Sequence, residues 1–84
     1  MTLEEELRRG RLAASLLENE VFVESMNLMR DAIISQWENS PIRDTEGHHE
    51  LRLMIKLLQD LRRNIQTVFE TGKLAKIQIE QKKF

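Results

Sequence analysis

Leu51, Met54, Leu58, Leu61, Ile65, Val68, Gly72, Ala75 and Ile79 follow an unbroken 3-4-3-4 spacing toward the C-terminus. That spacing holds one stripe of a helix in a constant direction through four heptads, so it predicts a long supercoiled helix lying lengthwise on other helices. Ile55, Leu57 and Phe69 border the stripe and widen it enough for more than one neighbour. Asp44 or Thr45 is placed to cap this helix and Glu46 suits the positive end of its dipole, which gives a span of about 45–82. Thr71-Gly72 offers an earlier stop at a glycine C-cap. The stripe crosses Gly72 in phase, so the helix is read as continuous. A glycine there would suit a close crossing with a second copy, and equally fits a tolerated glycine near a helix end.

A helix of that length, roughly 57 Å at 1.5 Å per residue, needs cover along its whole length. Two shorter helices precede it. Thr2, with Glu5 three residues on, forms the sequence pattern of a capping box, and the first helix is read as about 3–18. Leu3, Leu7, Ala14 and Leu17 share a face with Gly10, which reads first as a weak point in that helix and otherwise as a place for close approach of another helix. Asn19 is a good N-cap residue at which the apolar pattern restarts, giving a second helix over about 20–38 with Phe22, Met26, Met29, Ile33 and Trp37 on one stripe. Asn39-Ser40-Pro41-Ile42-Arg43-Asp44 is the one clear loop, because the residue before proline avoids helical angles and the chain must reverse. Helix 2 reaches only the first half of helix 3. Helix 1 either folds back over the second half, making a helical hairpin with one broken arm, or reaches a second subunit. The expected fold is all-α, a helical hairpin or three-helix bundle with a long C-terminal helix, in one domain over 1–84.

Eighty-four residues make a small core with little surplus stability, so help from an oligomer is expected. The absence of cysteine removes disulfides, thiolate metal sites and thiol nucleophiles. Met1-Thr2-Leu3-Glu4-Glu5-Glu6 places acids where a signal peptide needs basic residues, and the apolar runs are too short for a bilayer span, so neither secretion nor membrane insertion is expected. Residues 1–51 hold five Arg and eleven acids, whereas residues 52–84 hold eight Lys/Arg and three acids. This asymmetry favours antiparallel packing of the halves or head-to-tail contact between copies, and leaves a basic C-terminal arm.

No enzyme chemistry is legible. His48-His49 are adjacent and point about 100° apart on a helix, so they do not chelate as an i, i+4 pair would. The carboxylates lie opposite the apolar stripes or alternate with basic and amide side chains, as Glu4 with Arg8 and Asp60 with Asn64, which reads as a solvated face. No glycine-rich phosphate loop, nucleophile elbow or metal signature occurs. No cofactor and no small-molecule substrate are expected. Trp37 is expected to pack under the Pro41 loop, or, if exposed, to anchor an interface. Met26, Met29 and Met54 read as gap fillers. Arg62, Arg63, Lys73, Lys76, Lys82 and Lys83 are the candidates for nucleic-acid contact, although only Phe69 and Phe84 supply aromatic interleaving.

The segments Arg8-Arg9-Gly10-Arg11, Leu16-Leu17-Glu18-Asn19, Trp37-Glu38-Asn39-Ser40-Pro41, Arg43-Asp44-Thr45-Glu46-Gly47 and Glu70-Thr71-Gly72-Lys73-Leu74-Ala75 resemble small uncharacterised helical proteins encoded beside the head and packaging genes of tailed bacteriophages. The resemblance implies a virion or assembly role, in the virion or the bacterial host cytoplasm, and supplies no site residues.

The expectation is therefore a non-enzymatic structural or assembly protein. It would act through helix-mediated contact with itself or with a larger phage protein. The expected interface is the far end of the helix 3 stripe, at Ile65, Val68, Phe69, Gly72, Leu74, Ala75 and Ile79, where a monomer would leave apolar surface uncovered unless helix 1 hides it. Two alternatives are a packaging accessory that holds nucleic acid with the basic arm, and a helical inhibitor of a host protein.

Overall fold

The computed structural model describes residues 1–82 and consists of three helices, α1 (Leu3–Glu18), α2 (Glu20–Glu38) and α3 (Thr45–Gln81). Local chemistry sets each boundary. Thr2 Oγ1 accepts the Glu5 backbone N–H at 3.1 Å and opens α1 beneath three acids that suit the helix dipole. Asn19 serves two helices at once. Its backbone N–H donates to the Leu16 carbonyl at the end of α1, and its side-chain oxygen accepts the Phe22 N–H at 2.9 Å at the start of α2. Its extended angles, φ −69° and ψ 121°, are the only non-helical step between the two. Of the two candidates for the third cap, Asp44 is the one used, its Oδ1 accepting the Gly47 N–H at 3.0 Å.

The 39–44 loop is tied down by hydrogen bonds. The Ser40 hydroxyl lies 2.7 Å from both the Trp37 carbonyl and His48 Nε2. A hydroxyl has one proton; with that proton on the Trp37 carbonyl, Ser40 accepts from His48 Nε2–H, which joins the loop to the first turn of α3. The Trp37 ring lies 6.3 Å from the His48 ring, tilted by 59°. It is not packed under the Pro41 loop as expected, since 54% of Trp37 is exposed.

α3 runs unbroken through Thr71-Gly72, about 55 Å of continuous rod. α1 lies antiparallel on its C-terminal half and α2 lies antiparallel on its N-terminal half, so the molecule is a hairpin whose first arm is broken at Asn19. The α1 contact is much the more extensive. At its centre a Cβ placed on Gly10 would stand 2.7 Å from Gly72 Cα, and one placed on Gly72 would stand 2.6 Å from Gly10 Cα and 3.0 Å from the Glu6 carbonyl oxygen. Gly10 is therefore not a mere weak point, nor does Gly72 await a second copy. The two glycines bring the backbones of α1 and α3 into contact, and Ala13 and Ala75 are buried beside them. In the other half Ile33 of α2 and Leu58 of α3 are the buried side chains, with Phe22 and Met26 half-buried.

The hairpin is one helix thick, with principal extents of 63 × 24 × 15 Å. Its radius of gyration is 18.1 Å, against about 12 Å for a compact chain of this length.

Candidate interaction surface

In a hairpin one helix thick, the side chains that flank the line of contact have no third helix to cover them. On α3 the row Leu51, Leu58, Ile65, Gly72 and Ile79 faces the arm. The row three residues further on, Met54, Leu61, Val68 and Ala75, turns toward one flank, and the row four residues on, Ile55, Arg62, Phe69 and Lys76, turns toward the other. Because the arm runs antiparallel, the same rotation about its own axis leads to the same flank. Residues three beyond the α2 contact positions Phe22, Met26 and Ile33, namely Ser25, Met29 and Gln36, thus lie on the Met54–Leu61 side. The grooves agree with this division. Arg9, Leu12 and Leu16 line one groove with Val68, whereas Val23, Asn27 and Arg30 line another with Gln59 and Arg62.

The first flank is apolar. Met29 and Ala32 of α2 turn to the same side as Met54, Leu57 and Leu61 of α3, with Leu28 one row further round, and Leu12 and Leu16 of α1 line a groove with Val68. Leu57 is 68% exposed, Leu61 49% and Leu28 69%, although each belongs to a helix that buries other apolar residues. Charge is absent from the middle of this flank: between Leu51 and Gln81 the two rows of α3 on this side read Met54, Leu57, Leu61, Asn64, Val68, Thr71, Ala75 and Gln78, of which Ala75 is closed off by α1. Charges stand toward its ends, Glu50 near the loop and Glu5, Arg9 and Lys82 near the termini.

The opposite flank is basic. Arg30 and Arg62 line its groove beside α2, and Arg11, Lys73 and Lys76 line the groove beside α1, where the Lys73 ammonium sits 4.8 Å over the Phe69 ring. Of the residues expected to meet nucleic acid, the structure gathers Arg62, Lys73 and Lys76 on this flank. Arg63 is turned to the outer side of α3, where it pairs with Asp60 at 3.6 Å. Lys82 closes the helix at the far end, and Lys83 lies outside the described residues.

The expected protein interface is placed differently from the surface that is free. Gly72 and Ala75 are closed against α1, with Ala75 1% exposed. Ile65, Val68, Phe69 and Ile79 are half-buried in the half of α3 that α1 covers, and Leu74 projects from the outer side. Exposed apolar surface lies also in the other half, where α2 packs and where Leu28, Met29, Leu57 and Leu61 were not named as a partner interface. Their signal was present in the sequence as the uncharged row Leu57, Asn64, Thr71, Gln78, which in a solvated hairpin would carry Lys or Glu.

Among the described residues no three His, Asp or Glu side chains converge as metal ligands would, and no helix is long and apolar enough to cross a membrane. No family model, curated protein or solved structure matches the chain.

Proposed function

We propose that the protein is a non-enzymatic contact module, an assembly or structural component that works by laying the apolar flank of its hairpin on a protein partner. The observation that carries this reading is the uncharged surface of Leu28, Met29, Met54, Leu57 and Leu61, left open by a fold one helix thick. Contiguous apolar surface of this kind marks partner sites on small proteins. The likeness to proteins encoded beside phage head and packaging genes makes virion assembly the proposed setting.

Paired charges on the flank test the reading. Leu57→Glu with Leu61→Glu should abolish the protein complexes that the chain enters in its producing cell, while Arg62→Glu on the opposite flank leaves them intact. Complexes that survive the flank pair, or that depend on Arg62 instead, would count against it.

A second reading has its own observation, the gathering of Arg11, Arg30, Arg62, Lys73 and Lys76 on one flank. It makes that side a seat for nucleic-acid phosphates. Binding would then weaken steeply with salt, and a gel shift that is absent at low salt, or indifferent to salt, would remove it.

A further inference from the structure

We propose that the partner on the apolar flank is a second copy of this chain, docked face to face with the loop end of one hairpin over the terminal end of the other, completing a four-helix bundle with Leu61 close to its twofold axis. The inference rests on the contact-module reading and names its occupant.

Area is the first ground. The chain exposes 7082 Å², whereas a compact monomer of 10.0 kDa would expose about 5,200 Å². The surplus, about 1,900 Å², is spread over both flanks and the ends of the rod, and less than half of it on one flank would supply the roughly 800 Å² that each partner contributes to a stable interface. Two hairpins stacked on this flank form a four-helix bundle, in which the rows Met54–Leu61 and Leu57–Asn64 become core positions. Their lack of charge is what such positions require, and the polar members Asn64 and Thr71 are small enough to sit at its margin.

Charge supplies the second ground and sets the orientation. Residues 19–62, the loop end, hold five Lys/Arg and eight Asp/Glu, whereas residues 1–18 and 63–82, the terminal end, hold seven and six. Stacking like ends would oppose acid with acid. The ends-swapped arrangement brings Glu50 of one copy toward Arg9 of the other, the charges that border the flank at its two ends. A twofold interface must be complementary to itself, and the apolar patch, which runs along α3 from Met54 to Val68, has Leu61 at its centre.

Sedimentation velocity of the purified full chain across the micromolar range is the test. The expected result is a particle of twice 10.0 kDa. Leu57→Glu with Leu61→Glu should weaken self-association by at least about tenfold, and Arg62→Glu should leave it unchanged. Circular dichroism reports whether the variants keep their helices. Should the charged pair unfold the chain, cysteine placement answers separately, because the sequence holds no cysteine of its own. Under oxidation Leu61→Cys should link two copies, whereas Leu74→Cys, on the outer side of α3, should not. Failure of Leu61→Cys to link overturns the arrangement. So does a dimer indifferent to the flank substitutions. A strict monomer whose partner capture is still lost in the flank variants overturns the second copy alone and leaves the contact-module reading standing; capture indifferent to the flank overturns that reading as well.

Discussion

The two halves of the hairpin solve the same packing problem in opposite ways. Where α1 crosses α3, Gly10, Ala13, Gly72 and Ala75 let the backbones touch, and the helices seal against each other with almost no side chain between them. Where α2 lies on the same helix, Ile33 and Leu58 are buried between larger side chains, and the apolar residues beside them are left facing outward. Helix separation is set by the side chains at the contact. Small residues give close approach and little spare surface; large ones hold the helices further apart and leave flanks that call for another layer. One half is thereby closed along its line of contact, and the other keeps large apolar side chains exposed beside it.

Substitutions at matched positions should separate the two regimes. The largest effect is expected at the crossing. Gly72→Val would drive a branched side chain into the Gly10 backbone, with no flexible neighbour to yield, and should destabilise by about 3 kcal/mol or more in urea unfolding. A loss under 1 kcal/mol would show that the crossing is looser than described. Shrinking a side chain should matter in the other half: Leu58→Ala is expected to cost about 2–4 kcal/mol by the same measurement, through lost burial and a cavity between α2 and α3. Asn19→Ala should cost about 1 kcal/mol, because it removes the cap of α2 and leaves the Phe22 N–H without its side-chain acceptor. Smallest of all, Leu57→Ala should change the stability of the isolated hairpin by no more than about 0.5 kcal/mol, as at an open surface site. A loss that is larger, and that grows with protein concentration, would place Leu57 in an interface and sharpen the contrast.

What was legible in the sequence follows the range of the interactions. Caps act over three or four residues, so Thr2, Asn19 and the Asp44 region announced the helix starts without knowledge of the fold. The heptad stripe announced one continuous α3, because in-phase spacing through Gly72 is a property of that segment alone. That α2 covers the first half of the stripe was legible from its length; whether α1 folds back over the second half or reaches another subunit was not. Gly10 and Gly72 each allowed a close approach, but that they meet each other, and not a second copy, carried no local signal. The expected interface at Ile65–Ile79 held only if helix 1 left that half of α3 uncovered, and α1 occupies it. The flank that remains open became visible only when the rows on either side of the contact could be sorted by the antiparallel direction of the arm. The scatter of the basic side chains had the same cause: residues adjacent in sequence, such as Arg62 and Arg63, leave a helix about 100° apart and end on different sides.

Asn19 gives the arm a property that its helices lack singly. With one extended residue as the only join, the arm is articulated, and swinging α2 outward need not lift α1 from its glycine seat. The open half can therefore loosen while the sealed half keeps its register. Amide exchange under native conditions should then proceed in two blocks, the α2 amides at a lower opening energy than those of α1, and anything that grips α2 would slow the first block and leave the second alone.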